Sequence, residues 1–207
     1  MVGGIELRHR EHGGKEGGNP DDAGRDLAQD LRPGDANETA MAWRIALERE
    51  GGPVALALSR QKLETLDRTE VAPAEGALRG AYTLWQSDDG TPDLLLLATG
   101  SELGVAYEAA RTMDANVRVV SMPCWELFAE QPQDYRDEVL PPDVGARLSV
   151  EAGIPHGWER WVGEAGGSVG IDRFGASAPG DVVLANLGFT PENVATRAVA
   201  LLERVAG

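Results

Sequence analysis

The sequence predicts an α/β fold in which an open, mostly parallel sheet carries helices on both faces. Short apolar runs bounded by Gly, Pro and Asp recur at 94–98, 117–121 and 146–151, the pattern of strands buried on both sides. Stretches with apolar residues at helical spacing lie between and after them. Strand–helix alternation of this kind brings right-handed crossovers, which place helices on both faces. At 207 residues, 42% of them hydrophobic and 26% charged, the chain is sized for one ordinary domain and a remnant of another.

The elements follow in order. Residues 1–29 are dominated by Gly, Asp, Glu, Arg and His, too few of them apolar to offset their ordering entropy, so disorder is expected there. Structure is expected to begin near Arg32, with Asp35 capping a helix whose third residue, Glu38, reaches back. Ala40, Trp43 and Leu47 fall on one face of that helix, and Gly51, Gly52 and Pro53 end it. Residues 53–59 read as a buried strand, followed by Ser59-Arg60-Gln61, and 62–79 as a linker between two units.

The second unit opens with a strand at 81–85, turns at Asp88-Asp89-Gly90 and continues into the strand at 94–98. Thr99-Gly100-Ser101-Glu102 then starts a helix that packs through Leu103, Ala106, Tyr107 and Ala110. A strand at 117–121, short helices over 123–138, and strands at 146–151 and 168–171 come next. Thr190-Pro191-Glu192 starts the last helix, with Val194, Ala198, Leu201, Leu202 and Val205 on one side.

Composition excludes several functions. A formal net charge of −15 and the lack of Arg or Lys clusters leave no basic face for nucleic acid. The only lysines are Lys15 and Lys62, a bias that fits a GC-rich gene, and the acidity fits a salty cytosol. The longest apolar run, 94–98, is too short to cross a bilayer. No basic flank and apolar stretch follow Met1, so no signal peptide and a cytoplasmic location are expected. Cys124 is the single cysteine, and His9, His12 and His156 are too scattered for a metal site.

Five stretches hold residues capable of chemistry. Arg60 follows a buried strand, where open α/β sheets place ligand contacts, and its planar fork suits a phosphate; spacing alone favours a surface ion pair. The 99–102 turn presents backbone amides to an anion, but Glu102 already complements the helix dipole. Cys124, among apolar and acidic neighbours, reads as a core cysteine. Glu151 and His156 share a Gly- and Pro-containing loop that fixes no mutual geometry, so packing or subunit contact is the reading, and Asp172 with Arg173 equally allows an ion pair that closes a loop.

Seven stretches go further. In order they are Arg32-Pro-Gly-Asp-Ala-Asn-Glu-Thr39, Ala57-Leu-Ser-Arg-Gln61, Ala98-Thr-Gly-Ser-Glu102, Arg118-Val-Val-Ser-Met-Pro-Cys-Trp-Glu-Leu-Phe128, Val150-Glu-Ala-Gly153 with Gly157-Trp158, Gly170-Ile-Asp-Arg-Phe-Gly-Ala-Ser-Ala-Pro179 and Gly188-Phe-Thr-Pro-Glu-Asn-Val194. Together they resemble transketolase, and the wording around Cys124 and Asp172 separates the chain from deoxyxylulose-phosphate synthase and the dehydrogenase E1 subunits. The resemblance implies that residues 30–61 are the tail of the pyrimidine-binding domain. It implies that 80–207 form the transketolase C-terminal domain, with five strands, one of them antiparallel.

A complete transketolase of the pentose phosphate pathway moves a two-carbon ketol unit between sugar phosphates, as a dimer, with thiamine diphosphate and Mg2+. Of the family's site residues the resemblance carries over Arg60, which would bind the phosphate end of the sugar phosphate substrate. The family's histidine-bearing substrate segment has no likeness in residues 1–31, and neither His9 nor His12 maps onto it. The diphosphate motif, the metal ligands and the activating glutamate have no counterpart either, so the lone chain is expected to hold no cofactor. The expected partner is the missing transketolase domains or a partner subunit, in a homo- or hetero-oligomer. A non-catalytic interaction or regulatory module and a truncated gene product are the alternatives, under which Arg60 would be dispensable.

Overall fold

The computed structural model describes residues 28–206. The disorder expected for residues 1–29 falls, up to residue 27, outside the described residues; order begins earlier than Arg32, with a strand β1 at Gln29–Leu31. Helix α1 spans Ala36–Glu48. Asp35 caps it, its carboxylate accepting from the Glu38 amide at 2.8 Å. Glu38 reaches back one residue beyond the cap, to the Gly34 amide at 2.7 Å. Strand β2, Val54–Leu56, pairs parallel with β1 to make a two-stranded sheet.

The second unit holds a five-stranded sheet made by β3 (Tyr82–Gln86), β4 (Leu94–Ala98), β5 (Val117–Ser121), β6 (Arg147–Val150) and β7 (Gly167–Val169). Its order is β3-β5-β4-β6-β7, and β3 alone runs antiparallel. This is the mostly parallel sheet with one antiparallel strand expected above. Its helices are α2 (Glu102–Arg111), α3 (Trp125–Ala129), α4 (Gln133–Val139), α5 (Glu159–Val162), α6 (Gly180–Asn186) and α7 (Pro191–Ala206).

The apolar run of β4 is explained by the layers it separates. Leu94, Leu96 and Ala98 face one core, with Leu103 and Ala106 of α2 and Val194, Ala198 and Leu201 of α7. Leu95 and Leu97 face the other, with Phe128, Val139, Trp158 and Trp161. A strand buried on both sides has no polar face, hence no alternation.

Between the units, residues 62–79 include a 3-10 helix, Ala74–Arg79, whose Ala74 and Ala77 are buried. The packing of α1 departs from expectation. Trp43 and Leu47 are 52% and 80% exposed, while Glu38, Ala42 and Ile45 are buried. The buried face thus combines the acid Glu38 with Ala42 and Ile45, which pack with Leu31 and Cys124. Periodicity picks the more apolar face of a helix, which here points away from the described residues.

Candidate functional site

The two units meet in an open cleft of about 630 Å³, lined by Arg32, Arg60, Gln61, Thr99, Ser101 and Glu151 among others. It lies at the carboxyl ends of β4 and β6, where the chain order of a parallel sheet reverses and leaves a crevice. Arg60 reaches it from the turn after β2. The last backbone tie of that strand is the Ala57 amide to the Leu31 carbonyl, 2.9 Å. Beyond it Ser59, Arg60 and Gln61 are exposed. The Ser59 hydroxyl donates to Gln61 Oε1 at 2.7 Å, and the Gln61 amide donates to Ser59 Oγ at 3.2 Å. The surface ion pair that spacing allowed for Arg60 does not form among the described residues; its guanidinium has its donors free.

The opposite wall is built on Arg32. Its amide donates to the Pro123 carbonyl at 2.8 Å, and its carbonyl accepts from the Gly100 amide at 2.9 Å and the Thr99 hydroxyl at 3.1 Å. Its guanidinium bonds Asp30 at 2.9 Å and Glu151. Glu151 in turn accepts from the indole N–H of Trp158 at 2.6 Å, and Trp158 stacks edge-on against Trp125 at 4.7 Å. Glu151 is therefore engaged by Arg32 and Trp158, not His156. His156 stands exposed at a second cavity of about 230 Å³ behind the Arg32 wall.

The remaining candidates are placed as follows. Glu102 is buried and turned inward, accepting from the Ala152 amide at 3.0 Å and from the Ser101 hydroxyl. Burial raises its pKa, against the lowering effect of those two donors. Cys124 lies in the core, and burial pushes its thiol up to about 12, which leaves no thiolate for nucleophilic work. Asp172 and Arg173 are exposed and form no ion pair among the described residues. The Arg32–Glu151–Trp158 wall escaped sequence reasoning, because Arg32 lies 119 residues from Glu151 and only the topology joins them.

The arrangement suits binding more than bond-making. An arginine on an exposed turn, unpaired among the described residues, lines a cleft whose carboxylates Glu102 and Glu151 are both engaged. The residues present do not fit thiamine diphosphate with its metal. Among the described residues no three His, Cys, Asp or Glu side chains gather as ligands, and Glu102 and Glu151 point their oxygens at protein donors.

Comparison with known proteins agrees with this architecture. Residues 80–190 match the family model described as the transketolase-like TK C-terminal domain. The chain is 52% identical over 175 residues to a transketolase of Geobacillus stearothermophilus, an overlap that takes in 83% of this chain and 26% of that protein. Among solved structures, a transketolase from Leishmania mexicana superimposes with a TM-score of 0.77 at 40% identity, covering 86% of this chain and 25% of that one. A transketolase from Pichia stipitis in complex with sedoheptulose 7-phosphate gives 0.76 at 36% identity, covering 85% and 25%. The chain thus spans about a quarter of the length of the relatives it matches.

Proposed function

The chain belongs to the family of transketolase-like C-terminal domains, and from that premise we propose that it serves a transketolase as the part that grips the phosphate end of its sugar phosphates. The observation that carries this reading is Arg60, exposed with its donors free at the mouth of the cleft between the units. A guanidinium in that state presents two parallel N–H groups to the oxygens of a phosphate monoester. The sedoheptulose 7-phosphate bound to the Pichia stipitis relative supports the substrate class.

In the reaction, a two-carbon ketol unit leaves a ketose phosphate and joins an aldose phosphate, and both sugars carry the phosphate that Arg60 would hold. Thiamine diphosphate with magnesium supplies the electron sink for that transfer in the complete enzyme, from regions beyond those this chain matches. Those regions are the partner we assign to it, within a dimer in the cytoplasm. Outward Trp43, Leu47 and Leu58 are the surface they would cover.

The test is a coupled assay of ketol transfer from xylulose 5-phosphate to ribose 5-phosphate, with thiamine diphosphate and magnesium. The chain is assayed alone and mixed with a polypeptide carrying the cofactor-binding transketolase domains. Activity is expected only in the mixture. Arg60→Ala should raise KM for the phosphorylated sugars by roughly 10- to 100-fold, the value of a charge-assisted phosphate contact. An unchanged KM would remove Arg60 from substrate binding, and an inactive mixture would refute the assembly.

A further inference from the structure

We propose that Gln61 positions Arg60 for phosphate, and that residue 180 is glycine so that Gln61 can lie where it does. The inference rests on the sugar-phosphate reading of Arg60 and names the device that makes the second unit take part in it. The turn at 59–61 has little of its own to hold it. Past the Ala57 amide, its bonds are the reciprocal pair between Ser59 and Gln61, which bracket Arg60 within a bend. An exposed pair of this kind competes with water and fixes a loop weakly.

The second hold is steric and comes from across the cleft. A Cβ on Gly180 would sit 3.0 Å from Cγ and from Cδ of Gln61, and closer still to Nε2. Gly180 is not among the glycines with a left-handed backbone, so its conformation does not require glycine; what a Cβ there would meet is the side chain of Gln61, whose amide end would have to move. It opens α6 directly behind Pro179, which sets it at a fixed helix start. The amide of Gln61 thus lies between Ser59 of its own turn and the start of α6, with its carbonyl oxygen accepting from Ser59.

Arg60 lies between these two bonded residues, so their bonds bear on where its backbone aims the guanidinium. Bidentate phosphate recognition is sensitive to that, because a fork misaimed by an ångström loses one of its two bonds. The expected consequence is a preference for phosphorylated over unphosphorylated sugars that depends on Gln61 as well as on Arg60.

The experiment uses the 207-residue chain itself, labelled with 15N, with the Arg60 Nε–H resonance assigned by its loss in Arg60→Ala. Ribose 5-phosphate should shift that resonance saturably, and unphosphorylated ribose should not. Gly180→Val and Gln61→Ala should each weaken binding by roughly 5- to 10-fold with the melting temperature held, as expected when one of two aligned bonds is lost. In the doubly substituted chain the loss should equal that of Gln61→Ala alone, since Gly180 acts through Gln61. Additive losses would overturn the proposal, as would unchanged binding in Gln61→Ala. If Gly180→Val fails to fold, Gln61→Ala on its exposed turn and Gly180→Ala carry the same test. A wild-type chain that does not distinguish ribose 5-phosphate from ribose would overturn the sugar-phosphate reading itself, a different failure from binding that ignores Gln61.

Discussion

Glu38 shows how single residues join the two units. Its carboxyl group is 1% exposed and accepts from the Gly34 amide at 2.7 Å, the Tyr82 hydroxyl at 2.8 Å and the Ser121 hydroxyl at 2.6 Å. Tyr82 and Ser121 face each other on β3 and β5, so the acid of α1 is seated on the antiparallel corner of the second sheet. Tyr82 also accepts from Arg68 at 3.0 Å, and Arg68 donates to the capping Asp35 at 2.7 Å. The run Asp35-Ala-Asn-Glu38 is thus a polar clasp, and its spacing of three follows from capping a helix while facing a sheet. Tyr82→Phe removes a donor from Glu38 and an acceptor from Arg68 while keeping the ring. The chain should lose about 1–3 kcal/mol, the penalty for stranding buried polar groups. Urea unfolding followed by tryptophan fluorescence reads it, and a loss below about 0.5 kcal/mol would show the clasp to be ornamental.

At the scale of elements, two glycines should respond in opposite directions to the same change. Gly80 ends the 3-10 helix with φ of 83°, and a Cβ there would run into the Phe128 amide and the Cys124 carbonyl of the α3 entry. Gly80→Ala combines a left-handed backbone with overpacking and should cost about 2–4 kcal/mol. Gly104, inside α2, has nothing within 4 Å of an added Cβ, and Gly104→Ala should gain about 0.5–1 kcal/mol from helix propensity. Thermal melts of the two variants check both signs. The same elements mark what the sequence makes legible. The central strands and the helices α2 and α7 are plain from apolar runs and from the buried faces of Leu103, Ala106, Val194 and Ala198, because burial on a large sheet writes itself as pattern. Strand β1 is three residues, Gln-Asp-Leu, too short and too polar to carry a period. Helices α5 and α6 are a turn or two long and start after Trp158 and Pro179 with no side-chain cap, so no local signal announces them. Arg60 is a phosphate candidate from its place after a strand, and family wording decides for that role over an ion pair, whereas Arg32, Glu151 and Gly180 reach the cleft by topology.

Across the whole molecule, acidity and incompleteness both become measurable. Glu38 and Glu102 are carboxyl groups whose pKa is raised, in each case first by burial. A raised native pKa means the fold favours the protonated form, so this stabilisation is fully present below the ordinary carboxylate value and is lost as pH rises through the native values. A net charge of −15 adds self-repulsion that grows in the same direction. The melting temperature should therefore rise as pH falls from 8 toward 5, and at pH 8 it should rise with added salt, which screens the repulsion. A melting temperature that drops on acidification would reverse the assignment of Glu38 and Glu102.

Incompleteness is visible in the first unit. Two parallel strands, β1 and β2, form a sheet of their own, whereas parallel sheets are stable when both faces are covered and more strands are paired. Trp43 and Leu47 project from the outer face of α1, and Leu58 is 48% exposed just past β2. Among the described residues these two strands have no further neighbour, and such edges beside exposed tryptophan and leucine attract either a complementing chain or another copy. The chain by itself should sediment as an oligomer at micromolar concentration. Trp43→Glu combined with Leu47→Lys should give a monomer with an unchanged second unit, since neither side chain touches the five-stranded sheet's cores. Adding a polypeptide that carries the cofactor-binding transketolase domains should dissolve the wild-type oligomer into a mixed complex and fail to capture the double variant. A wild-type chain that stays monomeric and binds no such polypeptide would mean that this face needs no cover, and the assignment of a partner to it would fall.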